Sequence, residues 1–406
     1  MDYDNFSGDN QPRGSDNSKR QRVMLQMKRE RRRKLLIRRA IIVLVCALIV
    51  FLAIFLLVQL FKAIFGGGST QAQLAQTEAE VSEEVTEAPT INEAATFKTP
   101  EIKDDGKSEG YYSSVNGGVY IYNKMALELF GGSETTAQDY ADTISEFKKS
   151  APDITVYNMV VPNHTEYALP KRLIESGAVS AGSQAENIKM IYSDYTEDVK
   201  PINCYNKLCD HINEYLFFNT DHHWTGLGAY YAYQAFCEQT GQTPLDLTTC
   251  TEHTIADFEG SLIDNDQSLY DNLDTVHWWS FPYQTHAMRQ DNPGEDLYET
   301  TVYYEQEGSG RYSYGVFIYG DSPLFIEYND DNKNGKKIAV VKESYGNSFA
   351  PYLTNNYEEV HVIDFRYFGQ NLKNYLDENG IKEVLFINNV MSANAAVQLD
   401  RIRGLY

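Results

Sequence analysis

Glu214-Tyr-Leu-Phe-Phe-Asn219, Thr220-Asp221-His222-His223-Trp224-Thr225 and Gly226-Leu-Gly-Ala-Tyr-Tyr-Ala-Tyr-Gln-Ala-Phe-Cys237 follow one another without a break. The first run is apolar and aromatic, as a strand is, and the third has the apolar spacing of a helix. Between them a carboxylate and two imidazoles fall at a strand-to-helix corner, a place where α/β proteins build sites. Alternate residues of an extended backbone share a face, so this reading puts Asp221 and His223 together and turns His222 away. A carboxylate beside an imidazole fixes its tautomer and stabilises its charged form.

Further along, Lys336-Lys-Ile-Ala-Val-Val-Lys-Glu343 reads as a buried strand that runs straight into Ser344 and a helix reaching about Asn355. A serine at such a corner points out of the sheet edge beside the first amides of the helix, where a developing oxyanion can be met. It needs a base, and His223 is the candidate, oriented by Asp221. The competing reading of Ser344 is an ordinary helix N-cap. Strands at 154–161, 359–364 and 383–388 alternate with helical patterns at 136–149, 185–195, 205–213, 371–378 and from about Ala393. That alternation predicts a three-layer αβα domain with a parallel sheet. Residues 250–335 break it with short aromatic segments among Asp, Asn and Gly. They are read as a β-rich insertion forming one wall of a cleft, with strands at Thr275–Phe281, Thr301–Tyr304 and Tyr314–Tyr319.

The rest of the 406-residue chain sorts by composition. Residues 1–39 are basic and abut an apolar run, 40–62. At ~1.5 Å per residue that run spans roughly 33 Å, enough to cross a bilayer core of about 30 Å. The positive-inside rule places the tail in the cytoplasm and the remainder outside, so the expected form is a single-pass protein of the cell membrane with an extracellular C-terminal domain. Residues 63–108 are Gly, Ser, Thr, Ala, Gln and Glu and read as a flexible acidic stalk, and 109–406 form the ectodomain. The net charge of −22 conceals a basic tail, and the part beyond it is near −30. So acidic a domain is a poor binder of nucleic acid or anionic polymers through bulk charge. Cys204, Cys209, Cys237 and Cys250 are compatible with disulfides in any of three pairings, or with ordinary buried thiols.

The run Thr220–Tyr233 resembles the signature of the bacterial DHHW family. Gly117-Gly-Val-Tyr-Ile-Tyr122, Val161-Pro-Asn163, Phe258-Glu-Gly-Ser261, Lys342–Pro351 and Ile363–Phe368 resemble it as well. That family is similar to the alginate O-acetyltransferases of the SGNH-hydrolase-like group, in which Asp-x-His precedes the serine. The resemblance implies triad positions for Asp221, His223 and Ser344, and acetyl transfer to a secreted polysaccharide. It also implies a multi-pass acyl-exporting membrane partner. One departure stands out: the nucleophile context is Lys342-Glu343-Ser344 where relatives of known chemistry have Gly-Asp-Ser. Candidates for the oxyanion donor are Asn347, Asn163 and Asn388. Tyr345, His222 and Trp224 complete the candidate substrate contacts, the last two chiefly by shaping the corner. A serine-dependent O-acetyltransferase or acetylesterase is one reading, and an inactive glycan-binding or assembly protein of the envelope is the other. Asp221, His222 and His223 as a metal site is disfavoured, because neighbouring strand residues face opposite ways. Neither metal nor cofactor is expected.

Overall fold

The computed structural model describes residues 93–304 and 310–406. The basic tail, the apolar run 40–62 and most of the stalk lie outside the described residues, among which no helix is long and apolar enough to cross a membrane. Residues 93–108, read above as the end of a stalk, lie against the domain. The Phe97 ring meets Tyr192 and Tyr205, Asn203 Nδ2 donates to the Ala94 carbonyl, and Arg172 pairs with Asp104. Phe97 is the apolar anchor that a reading from bulk composition passes over.

The central sheet has eight strands: β1 Thr155–Val161, β2 Val199–Pro201, β3 Thr285–Gln290, β4 Tyr298–Thr300, β5 Leu324–Asn329, β6 Lys337–Lys342, β7 Glu359–Asp364 and β8 Glu383–Asn389. Their order is β2-β1-β8-β6-β7-β5-β3-β4. The first five are parallel, and β5, β3 and β4 continue antiparallel. The sheet is therefore mixed, not purely parallel, because the insertion lends it three strands. The physical reason is the edge of β7, whose unpaired N–H and C=O groups need a partner; β5 supplies one from Leu324 opposite Ile363 to Tyr328 opposite Glu359. Elsewhere in the insertion, Thr251–Phe258 and Asp274–Ser280 form a separate hairpin. Tyr314–Tyr319 is no strand: Ser313–Val316 is a 3₁₀ turn. Thr301–Tyr304 contributes a single bridge, Tyr303 to Phe317.

Among the described residues, six helices have eight residues or more: α1 Glu134–Ser150, α2 Gln184–Ser193, α3 Gly226–Thr240, α4 Gly346–Leu353, α5 Leu372–Asn379 and α6 Ala396–Arg403. Successive residues of β1 point to opposite faces. The ring of Tyr157 packs on Phe236 of α3, while Asn158 donates to the Tyr140 hydroxyl of α1. The layers follow from these contacts. Tyr195, just past α2, reaches Asn158 and α6 binds α1 through Arg403–Asp139, whereas α4 joins α3 through Phe349 and Phe236. From β6 the chain moves to β7 on one side and then back across to β8 on the other. Crossovers in opposite directions open a crevice at the carboxyl end of β6. Cys204, Cys209, Cys237 and Cys250 are all free thiols.

One side chain in the sheet is out of balance. Glu327 of β5 is fully buried and neither carboxyl oxygen has a partner. Burial holds its pKa well above the ordinary glutamate value, so the folded state keeps the proton. Because the unfolded chain releases that proton first, stability is lost as pH rises above about 4.5. Glu327→Leu is expected to gain stability over the wild type by about 1–3 kcal/mol at pH 8 and by less at pH 4. Urea midpoints at the two pH values check this, and a pH-independent difference would contradict it.

Candidate active site

Ser344 lies just beyond β6 and just before α4. The turn is tight: a Cβ on Gly346 would stand 2.5 Å from the Cβ of Lys342, and the Gly346 N–H closes onto the Glu343 carbonyl. Glu343 turns its side chain inward. One oxygen accepts from the Asn389 N–H at 2.7 Å and the other from the Tyr345 N–H at 3.0 Å. Burial raises its pKa and these two N–H groups work against that rise. The carboxylate thus ties the serine turn to the end of β8, which is a structural use for the residue that departs from Gly-Asp-Ser. Next to it, Lys342 Nζ is 2.9 Å from Asp364 and 3.3 Å from Asp321. Arg366 reaches both carboxylates from 2.6 and 2.8 Å. The carboxyl ends of β6 and β7 are locked by this network, in which Lys342 and Asp364 are buried and Asp321 reaches the surface.

The segment carrying Asp221 and His223 is a loop, not the strand expected from its aromatics. Its one ladder contact is a bridge between Phe217 and Trp224. The donors a neighbouring strand would have satisfied go to a single buried carboxylate, Asp274. It accepts from the N–H groups of Asn219 and Thr220, each at 2.8 Å, and from the Thr220 hydroxyl at 2.6 Å. The Asn219 amide and the Tyr215 hydroxyl bind it too. Asp221 and His223 do meet, but through a turn. Asp221 Oδ1 accepts from the His223 N–H at 3.0 Å and lies 2.6 Å from its ring Nδ1. Asp221 Oδ2 accepts from the Ser261 N–H at 2.7 Å. That approach needs glycine at 260, where a Cβ would stand 2.3 Å from the Thr220 carbonyl oxygen and 2.5 Å from the Asp221 Cβ. The Phe258-Glu-Gly-Ser261 stretch is therefore the seat of the acidic member.

His223 Nε2 is 2.7 Å from Ser344 Oγ. Burial opposes ionisation of Asp221, but His223, His222 and the Ser261 N–H outweigh it and hold the carboxyl well below the usual range. The ring of Tyr314 stacks on His223 with centroids 4.0 Å apart and 10° between planes, and its hydroxyl donates to the Ser344 carbonyl. The two loops are also cross-tied: Trp224 Nε1 donates to the Tyr345 carbonyl at 3.0 Å, and the Tyr345 hydroxyl donates to the His222 carbonyl. A cleft of about 540 Å³ opens over His223, His222 and Ser261, walled by Tyr298, Tyr304 and Tyr312 from the insertion.

The remaining candidates separate cleanly. His222 lines the cleft, with Nδ1 2.7 Å from the Ser261 hydroxyl; burial, then the neighbouring His223, lower its pKa. Trp224 and Tyr345 are buried and act as the cross-ties just described. Asn163 is framework: its amide serves the Glu128 carbonyl, Gln184 and the Thr165 N–H. Asn388 faces α1, bound to Tyr140. Asn347 is buried and donates to Asp321 at 3.1 Å. His222 is not turned away as an extended strand would turn it: its ring lies 3.8 Å from that of His223. Asp221, His222 and His223 bring ligand-type atoms within 4.8 Å of one another, those of Asp221 and His223 serving each other and Ser344. Asp274 and Tyr314 escaped the sequence reading, since a single acid opening an aromatic strand and one tyrosine among many carry little local signal. Asp274→Ala leaves several buried donors without an acceptor. It is expected to cost about 3–5 kcal/mol by urea unfolding, and a loss below about 1 kcal/mol would contradict the anchoring role.

The DHHW protein family model matches residues 86–363 of this chain. Among solved structures, a DHHW family protein from Eubacterium siraeum is 28% identical, with a TM-score of 0.65 over 73% of this chain and 97% of that one. Bacillus cereus PatB1 with a sulfonyl adduct is 17% identical, with a TM-score of 0.55 over 68% of this chain and 97% of that one, a likeness of fold. The O-acetyltransferase domain of Pseudomonas putida AlgJ is 11% identical at a TM-score of 0.38, over 74% of this chain and 100% of that one. No curated protein matches. With the family model spanning most of its length and its namesake Asp221-His222-His223-Trp224 at the cleft, this chain belongs to the DHHW family.

Proposed function

We propose that this protein is a serine-dependent O-acetyltransferase, or acetylesterase, acting on a secreted or cell-wall polysaccharide, anchored by residues 40–62 with its domain outside the cell. The observation that carries the reading is the unbroken hydrogen-bonded line from Asp221 to His223 (2.6 Å) to Ser344 Oγ (2.7 Å). In the proposed reaction Ser344 Oγ attacks the carbonyl carbon of an acetyl donor while His223 Nε2 takes the hydroxyl proton. Asp221 stabilises the imidazolium that forms. Collapse of the tetrahedral intermediate breaks the bond to the donor's leaving group, which receives the proton from His223, and leaves Ser344 as an acetyl ester. An acceptor hydroxyl then gives its proton to His223 and attacks the ester carbon. The new tetrahedral intermediate collapses by breaking the bond to Ser344 Oγ, which takes the proton back from His223, leaving the acetylated acceptor and free serine. Water in place of the sugar makes the same cycle an esterase. The acetyl choice rests on the sequence resemblance to alginate O-acetyltransferases, as does the multi-pass membrane partner that would deliver the donor.

Because PatB1 carries a sulfonyl adduct in its structure, a sulfonyl fluoride is a fitting probe here. The full-length protein is expected to gain one sulfonyl group at Ser344, mapped by peptide mass, and Ser344→Ala to gain none. His223→Ala should slow the reaction about 10³-fold or more, and Asp221→Asn about 10²–10⁴-fold. A folded wild type that stays unmodified, or that reacts equally fast without His223, would sink the proposal.

A further inference from the structure

Behind the catalytic cleft lies a second one, of about 480 Å³, on the far side of a wall formed by Tyr304 and Tyr319. Its floor holds Trp278 and Tyr303, its rim Thr285 and Thr301, and among the described residues nothing charged lines it. Trp278 and Tyr303 are buried, and His253 already stacks on Trp278. The ring open to a ligand is therefore that of Tyr304, with neutral hydroxyls around it. An uncharged sugar asks for such an apolar face to stack on and hydroxyls to exchange hydrogen bonds. The catalytic cleft, by contrast, has Arg289, Arg311 and Asp291 in its walls. Tyr298 and Tyr304, about half exposed, and Tyr312, mostly exposed, cluster around these openings.

The dividing wall is held in a conformation that folding alone does not favour. Ile318 and Tyr319 both have left-handed backbones, with φ of 46° and 60°, which for a β-branched residue is a true outlier. Arg289 holds this turn by donating from one nitrogen to the carbonyls of both residues, each at 3.1 Å. Its guanidinium also lies 5.6 Å from the centre of the Tyr319 ring. Tyr319 is thereby set against Tyr304 (centroids 4.7 Å apart), and its hydroxyl is 2.8 Å from Thr301 Oγ1. Strain kept in place by specific bonds is characteristic of a position under functional constraint.

We infer that the second cleft is a subsite for an uncharged pyranose chain, gripping the acceptor away from the residue that meets Ser344, with Tyr304 and Tyr319 shared between the two clefts. The inference rests on the polysaccharide reading above and narrows it, since a subsite of this kind favours long acceptors over single sugars. Thr285, at the rim and outside the triad, is the position to plug. Full-length Ser344→Ala protein is titrated calorimetrically with cellohexaose, xylohexaose and chitohexaose. At least one is expected to bind, and adding Thr285→Trp or Thr285→Arg should weaken it about tenfold or more, as should Tyr304→Ala. Sulfonylation of Ser344 in otherwise wild-type protein, run in parallel, should proceed at the same rate with either Thr285 substitution, which also certifies the fold. Binding by none of the three chains, or binding that both Thr285 substitutions leave unchanged, overturns the subsite. If the sugar binds and the plugs block it while Ser344 never reacts in the wild type, the subsite stands and the transferase reading falls.

Discussion

Asp274 is the constraint on which the site depends. The loop from Asn219 to His223 joins no ladder, and the N–H groups of Asn219 and Thr220 converge on that one buried carboxylate. Hydrogen bonds to a charged acceptor are among the strongest a fold can make, and leaving their donors unpaired is costly. With the loop pinned, Gly260 admits close packing and Ser261 delivers its N–H to Asp221. Only then does His223 have a fixed partner on one side and Ser344 on the other. The β-rich insertion that sequence pattern marks as an interruption therefore sets the geometry of Asp221 and His223: Asp274 and Ser261 hold the loop, and Tyr314 covers the imidazole.

The other half of the site is anchored differently. Ser344 stands where β6 meets α4 at the switch of strand order, and its turn is held by Glu343 bonding across to β8. Lys342, Asp364, Asp321 and Arg366 lock β6 to β7 on the other side. A buried ion pair is a weak source of net stability, but removing either Lys342 or Asp364 strands the other in the interior. A substitution in this network therefore acts on the position of the serine without touching it. Trp224 and Tyr345 join the two halves by hydrogen bonds between the loop and the serine turn.

Much of this was legible in the chain. The strand ending at Lys342, the helix from Gly226 and the β–α alternation after residue 336 appear in the structure within a few residues of where periodicity puts them. The meeting of Asp221, His223 and Ser344 was expected as well, though from a strand face where the structure uses a turn. Three things were not visible. The mixed sheet depends on which edge β5 finds, a long-range pairing without a local signature. The docking of residues 93–108 combines Phe97 with scattered polar contacts such as Arg172–Asp104, none of which a local pattern marks. The asparagines proposed as oxyanion donors look alike in sequence, and only their partners show that Asn163 and Asn388 belong to the framework.

The proposed reaction requires Ser344 to become acylated through His223. The most direct measurement is the intact mass of the protein after rapid mixing with p-nitrophenyl acetate and acid quench. The expected result is a species heavier by one acetyl group, mapped to Ser344, present in the wild type and missing from His223→Ala. An acetyl adduct on any other residue, or one that forms equally well without His223, would contradict it.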